Sequence, residues 1–149
     1  MSAPNPWQSY RHYHQIAVQT ASPGQLVLML FDGAIRFCDR ALEGFSHSDP
    51  AEFNMTVNNN LQRAREVILE LNRCLDRERG GEIAATLNAL YDYFDRRLVE
   101  SNRRKHPEGI HEVVRRLTVL RDAWATMLLK ENAGAPVGEP FGLAQAAAA

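Results

Sequence analysis

Apolar and polar positions along this chain repeat with helical periods. Six apolar residues, Leu26 to Phe31, run without a break. At about 100° per residue they turn through roughly 600°, so this end of a helix is apolar on every side. Such a segment is either buried all round or keeps a face for a partner. Its start is well punctuated. Ser22 is placed to cap the helix, Pro23 fits its first turn, and Gln25 is placed to fold back on the cap. This first helix is expected over about Pro23 to Phe45.

Three further segments follow. Asp49-Pro50-Ala51-Glu52 opens the second, with Asp49 as cap and Pro50 at the first position, and it ends near Asp76. Its stripe is Phe53, Val57, Leu61, Ala64, Ile68, Leu71 and Leu75, in steps of three and four. Gly80-Gly81 break the chain before the third helix, expected over about Glu82 to Ser101 with stripe Ile83, Leu87, Leu90, Phe94 and Leu98. Pro107 opens the fourth, with stripe Ile110, Val113/Val114, Leu117, Leu120, Trp124 and Met127/Leu128. Breaks are expected near residues 46–49, 77–81 and 103–107. No stretch alternates with a two-residue period. The expected fold is all-α, an antiparallel up-down-up-down four-helix bundle over residues 21–131. Residues 1–20, polar with Trp7, Tyr10 and Tyr13, read as an N-terminal arm. Residues 132–149, rich in Gly, Pro and Ala, read as a flexible tail.

Composition narrows the function. At 149 residues, 45% hydrophobic and 23% charged, the chain suits one globular domain with a real core. A formal net charge of −1 gives no pull toward nucleic acid or an anionic membrane. No apolar run approaches the ~20 residues that cross a bilayer. The N-terminal residues lack a signal peptide's apolar stretch, so a cytoplasmic location without membrane insertion is expected. Cys38 and Cys74 are badly placed to pair. In an antiparallel hairpin Cys38 lies beside about residue 59, which leaves Cys74 roughly 22 Å away at 1.5 Å per residue. A disulfide needs Cα atoms within ~7 Å. Both cysteines are expected as reduced core thiols.

Catalytic and cofactor motifs are missing. There is no phosphate loop or dinucleotide fingerprint. Glu108-Gly109-Ile110-His111 resembles the Glu-x-x-His of di-iron bundles, which needs a second copy and two further Glu residues. His12-Tyr13-His14 is an alternating pair in a short polar arm. The histidines fall in the arm, in loops or at a helix start, unlike a phosphotransfer histidine in mid-helix. Arg96, Arg97, Arg103, Arg104 and Lys105 form a basic cluster that suits the negative end of a helix better than phosphate. No metal, cofactor or enzymatic turnover is expected.

The positive signal is surplus apolar surface. Asp32, Arg36, Asp39, Arg40 and Glu43 mark the wet side of the first helix, and Met29 points into its middle. Ala85, Ala89 and Tyr93 stack along the third helix on a side separate from its core stripe. Small residues beside an aromatic make a shallow trough for another helix. The same three residues also describe an ordinary solvent face.

Several blocks together carry a family resemblance. They are Thr20-Ala21-Ser22-Pro23-Gly24-Gln25-Leu26, Met29-Leu30-Phe31-Asp32-Gly33-Ala34, and Leu75-Asp76-Arg77-Glu78-Arg79-Gly80-Gly81-Glu82-Ile83-Ala84, then Leu90-Tyr91-Asp92-Tyr93 with Arg96-Arg97-Leu98, and Ala123-Trp124. In order and spacing the chain resembles the flagellin-specific secretion chaperones, the FliS family, over about residues 10 to 128. The resemblance implies a cytosolic helical chaperone without cofactor. It would bind the disordered C-terminal segment of flagellin, prevent premature polymerisation, and assist delivery to the membrane protein of the flagellar type III export gate. Tyr13 matches the family's N-terminal aromatic. Leu26, Met29 and Leu30 match its first-helix block, and Ile83, Tyr91 and Tyr93 its third-helix block. With Ala85 and Ala89 these are the candidate partner-binding residues. Phe31 stands where the family commonly has tyrosine, and the tail resembles nothing in the family. A rival reading is a four-helix adaptor for a folded protein, with no export role.

Overall fold

The computed structural model describes residues 21–134. The expected arm, with Tyr13, and almost all of the expected tail lie outside the described residues. Among the described residues there are four helices: α1 (Pro23–Gly44), α2 (Pro50–Arg73), α3 (Arg77–Arg104) and α4 (Glu108–Asn132). No strand occurs among the described residues. The chain is an all-α four-helix bundle.

Helix α1 begins as its residues dictate. Ser22 Oγ accepts from the Gln25 backbone N–H, and Gln25 Oε1 accepts from the Ser22 N–H, both over 3.2 Å. This reciprocal pair satisfies two donors that a helix start leaves orphaned. At α2, Pro50 takes the first turn as expected, but Asp49 makes no side-chain cap bond. The next connection differs from expectation. Asp76 accepts from the backbone N–H of Glu78 and Arg79 at 3.0 and 3.1 Å. That cap starts α3 at Arg77, ahead of the two glycines. Gly81 then interrupts the helical path, at φ 51° and ψ −127°, a conformation that favours glycine, so the expected break lies there and a short helical turn from Arg77 precedes the main body of α3. The connections are therefore 45–49, 74–76 and 105–107.

Each helix packs on the next, and α4 closes back on α1. Contacts fix the directions. Arg65 meets Asp95 and Asn58 meets Asn102, so α2 and α3 run oppositely. Gly24 meets Trp124 and Asp32 meets Arg121, so α1 and α4 do too. The core between them holds Phe31, Phe37, Val57, Leu61, Ile68, Phe94, Leu98, Leu117 and Trp124. The α4 stripe is buried as read, and so are Val57, Leu61, Ala64, Ile68 and Leu71 of α2, whereas Phe53 is half-buried and Leu75 is half-buried beyond the end of the helix. Cys38 and Cys74 are both free. Burial and the neighbouring Asp39 push the Cys38 thiol up to about 12, which keeps it unreactive. Cys74 is only half-buried.

The α3 stripe needs correction. Its buried positions are Ala84, Leu87, Tyr91, Phe94, Leu98 and Ser101. Leu90 is half-buried against the core, and Ile83 is 41% exposed. Residues 90 and 91 sit about 100° apart and both flank the stripe, so periodicity alone does not separate them. The larger tyrosine ring fills the core. Ile83 follows the Gly81 kink at the bundle end, where little helix remains to cover it.

Candidate protein-binding surface

Two surfaces carry the residues of interest that the core does not use, while Met55, Leu69, Ile83, Val99 and Leu129 are exposed elsewhere. The first is the start of α1. Leu28 and Leu30 are half-buried and pack against the core. Leu26 and Met29 are half-buried but are not part of that packing. Met29 lies one turn before Asp32, whose carboxylate takes the Arg121 Nε–H over 2.8 Å. It stands about 140° around α1 from Gly24, which meets Trp124 and Leu128 of α4, so it faces the polar side of α1 beyond Asp32.

The second surface lies between α3 and α4. Ala85 and Ala89 are exposed, and Tyr93 is half-buried one turn on. Their helical spacing puts them in a row facing away from the core. On α4, Val119 is 64% exposed. Val119 and Ala123 continue the line of Arg116, whose guanidinium stands 5.9 Å from the centre of the Tyr93 ring. The antiparallel pairing sets them beside Ala89 and Ala85. Small side chains on both helices are the arrangement expected of a shallow apolar trough.

A polar network closes one end of this trough. Glu112 accepts the Tyr93 hydroxyl at 2.9 and 2.8 Å and the Arg97 Nε–H at 2.9 Å, and forms an ion pair with the Arg116 guanidinium at 3.0 Å. The Tyr93 bond and the two guanidiniums hold the Glu112 carboxyl below its ordinary range. The same bond pushes the Tyr93 hydroxyl up. The helices cross closely just beyond. A Cβ on Gly109 would lie 2.3 Å from Ser101 Oγ, so only glycine fits there without movement. Trough and network thus sit on a rigid crossing.

Of the residues selected from sequence, Ala85, Ala89 and Tyr93 are brought together. Leu26, Met29 and Leu30 share the start of α1. Ile83 stands apart near the Gly81 kink. Tyr91 is in the core, 2% exposed, with an edge toward α2. The basic cluster is largely engaged: Arg97 with Glu112, Arg103 and Arg104 with Glu100, and Lys105 with Asn102. Sequence reasoning named Ala123 only within a family block and did not single out Val119 or Glu112. Val119 and Ala123, one turn apart, were the available signal, hidden by the stronger stripe through Leu117 and Leu120. Among the described residues, no group of three or more His, Cys, Asp or Glu is placed to hold a metal. None of the described helices is long and apolar enough to cross a membrane.

Comparison with known proteins agrees with this architecture. The family model described as Flagellar protein FliS matches residues 6–131. The flagellar secretion chaperone FliS of Bacillus subtilis is 37% identical over 132 residues, covering 89% of this chain and 92% of the relative. That of Salmonella typhimurium is 40% identical over 109 residues, covering 72% and 78%. That of Vibrio cholerae is 30% identical over 121 residues, covering 78% and 85%. On sequence and fold together, this chain belongs to the FliS family of flagellar secretion chaperones.

Proposed function

We propose that this chain is a cytosolic export chaperone for flagellin. It binds the disordered C-terminal segment of flagellin in apolar grooves, prevents premature polymerisation and assists delivery to the flagellar type III export gate. It works by binding alone, without cofactor or turnover. The observation that carries this reading is apolar surface left outside a complete core, at Leu26 and Met29 and along Ala85, Ala89 and Val119, in a chain of this family.

The physics favours an extended client. A disordered segment pays its ordering cost on binding, and wide apolar burial offsets that cost. Small residues at Ala85 and Ala89 let a client helix approach the α3–α4 trough closely. The half-buried leucines and Met29 offer a second contact at the start of α1. A segment held on both cannot pair with another flagellin. The test is co-purification of the chain with full-length flagellin and with flagellin cut before its C-terminal segment. Retention of the first and loss of the second is expected. Equal retention of both would favour an adaptor for a folded partner.

A further inference from the structure

On the flank of α3 that faces α2, a cleft of about 280 Å³ opens between the two helices. Its floor is Ile68 and Tyr91, both almost fully buried, and Leu69 forms one lip at 50% exposure. The wall carries a polar atom in need of a donor. Asn72 Oδ1 is buried and has no hydrogen-bond partner. Leaving such an acceptor unpaired is costly, so a ligand that donates to it is favoured. The rim is acidic. Glu66, Asp92 and Asp95 line the cleft against one cation, Arg65. Arg65 is already spent on Asp95, through a fork of 2.7 and 3.4 Å. Glu66 and Asp92 make no ion pair with any described residue.

We propose that this cleft binds an arginine side chain of a partner polypeptide. The three features call for one chemistry: an apolar stem, a hydrogen-bond donor and a positive charge. An arginine's methylenes lie on Ile68, Leu69 and Tyr91 while its head stays polar. Its guanidinium has donors to spare for Asn72 Oδ1 and still faces Glu66 and Asp92. Lysine offers a compact, strongly hydrated charge and fits the buried acceptor less well. The site is independent of the flagellin reading.

The test titrates the isotope-labelled full chain with acetyl-Leu-Arg-Leu-amide and reads backbone amide shifts. A second probe replaces arginine with citrulline, which keeps the shape and donors but removes the charge. Saturable shifts are expected at Leu69, Asn72, Asp92 and Asp95, with the citrulline probe weaker by about fivefold or more. In a Glu66→Gln, Asp92→Asn double variant the arginine probe should fall to the citrulline level. Both substitutions are on the rim, and an unchanged melting temperature confirms the fold. Equal binding of the two probes would overturn the proposal. So would shifts centred elsewhere on the surface, or no saturable shift in the unsubstituted chain.

Discussion

The Trp124 indole nitrogen donates to the Gly24 carbonyl over 2.7 Å, joining the last third of α4 to the first turn of α1. The ring is fully buried, so one residue supplies both core volume and a tie between the chain's outer helices. Trp124→Ala should destabilise the bundle by about 3–5 kcal/mol. Trp124→Phe keeps most of the ring and loses the bond, so about 1–2 kcal/mol is expected. Urea unfolding followed by helical circular dichroism measures both. Equal losses would show that the bond to Gly24 matters as much as the ring.

Gly109 sets the spacing of α3 and α4. An added methyl would press on Ser101 Oγ and approach the Arg97 carbonyl at 3.3 Å. Gly109→Ala should therefore cost about 1–3 kcal/mol by overpacking. It should also spread the helices and weaken the Arg97–Glu112 pair. A melting temperature equal to that of the unsubstituted chain would show that the crossing has slack.

Glu112 makes stability depend on acid. Tyr93 and Arg97 hold its carboxyl below the ordinary value of 4.5 in the folded chain. A carboxyl lowered by folding stabilises the fold fully above its unfolded value. That contribution is lost as pH falls through the lower folded value. Glu112→Gln should therefore melt below the unsubstituted chain at neutral pH. The gap should narrow as pH falls below about 4.5. A gap that stays constant on acidification would mean that the Glu112 charge contributes nothing.

Ala89→Glu places a charge in the α3–α4 trough. Ala89 is exposed and off the core stripe, so stability should change by no more than about 0.5 kcal/mol. Affinity for flagellin's C-terminal segment should fall. Unchanged affinity in the folded variant would remove the trough from the binding surface and leave the start of α1 as the better candidate.

Much of this molecule is legible in its sequence because α2 and α4 repeat their apolar residues in one unbroken phase. Ser22 and Gln25 likewise announce α1. The α3 stripe was harder to read. Leu90 and Tyr91 are adjacent and both can be buried, and only packing against the neighbouring helices decides which side chain turns inward. Gly80-Gly81 were read correctly as a break, since Gly81 leaves the helical conformation, but the short turn that Asp76 caps from Arg77 carries no apolar period and was not foreseen. The trough was half visible. Ala85, Ala89 and Tyr93 share a face by spacing alone, but Val119 and Glu112 join them only through the α3–α4 pairing. Asn72, Glu66 and Asp92 carry no local pattern. Their cleft exists only once two helices are side by side.

The central claim is that apolar grooves on this bundle hold flagellin's disordered C-terminal segment. Calorimetric titration of that segment into the full chain, at several temperatures and at low and high salt, tests it most directly. Saturable binding with a clearly negative heat-capacity change and little salt dependence is expected, because apolar burial drives it. Absence of binding, or binding that collapses with salt and shows no heat-capacity change, would contradict it.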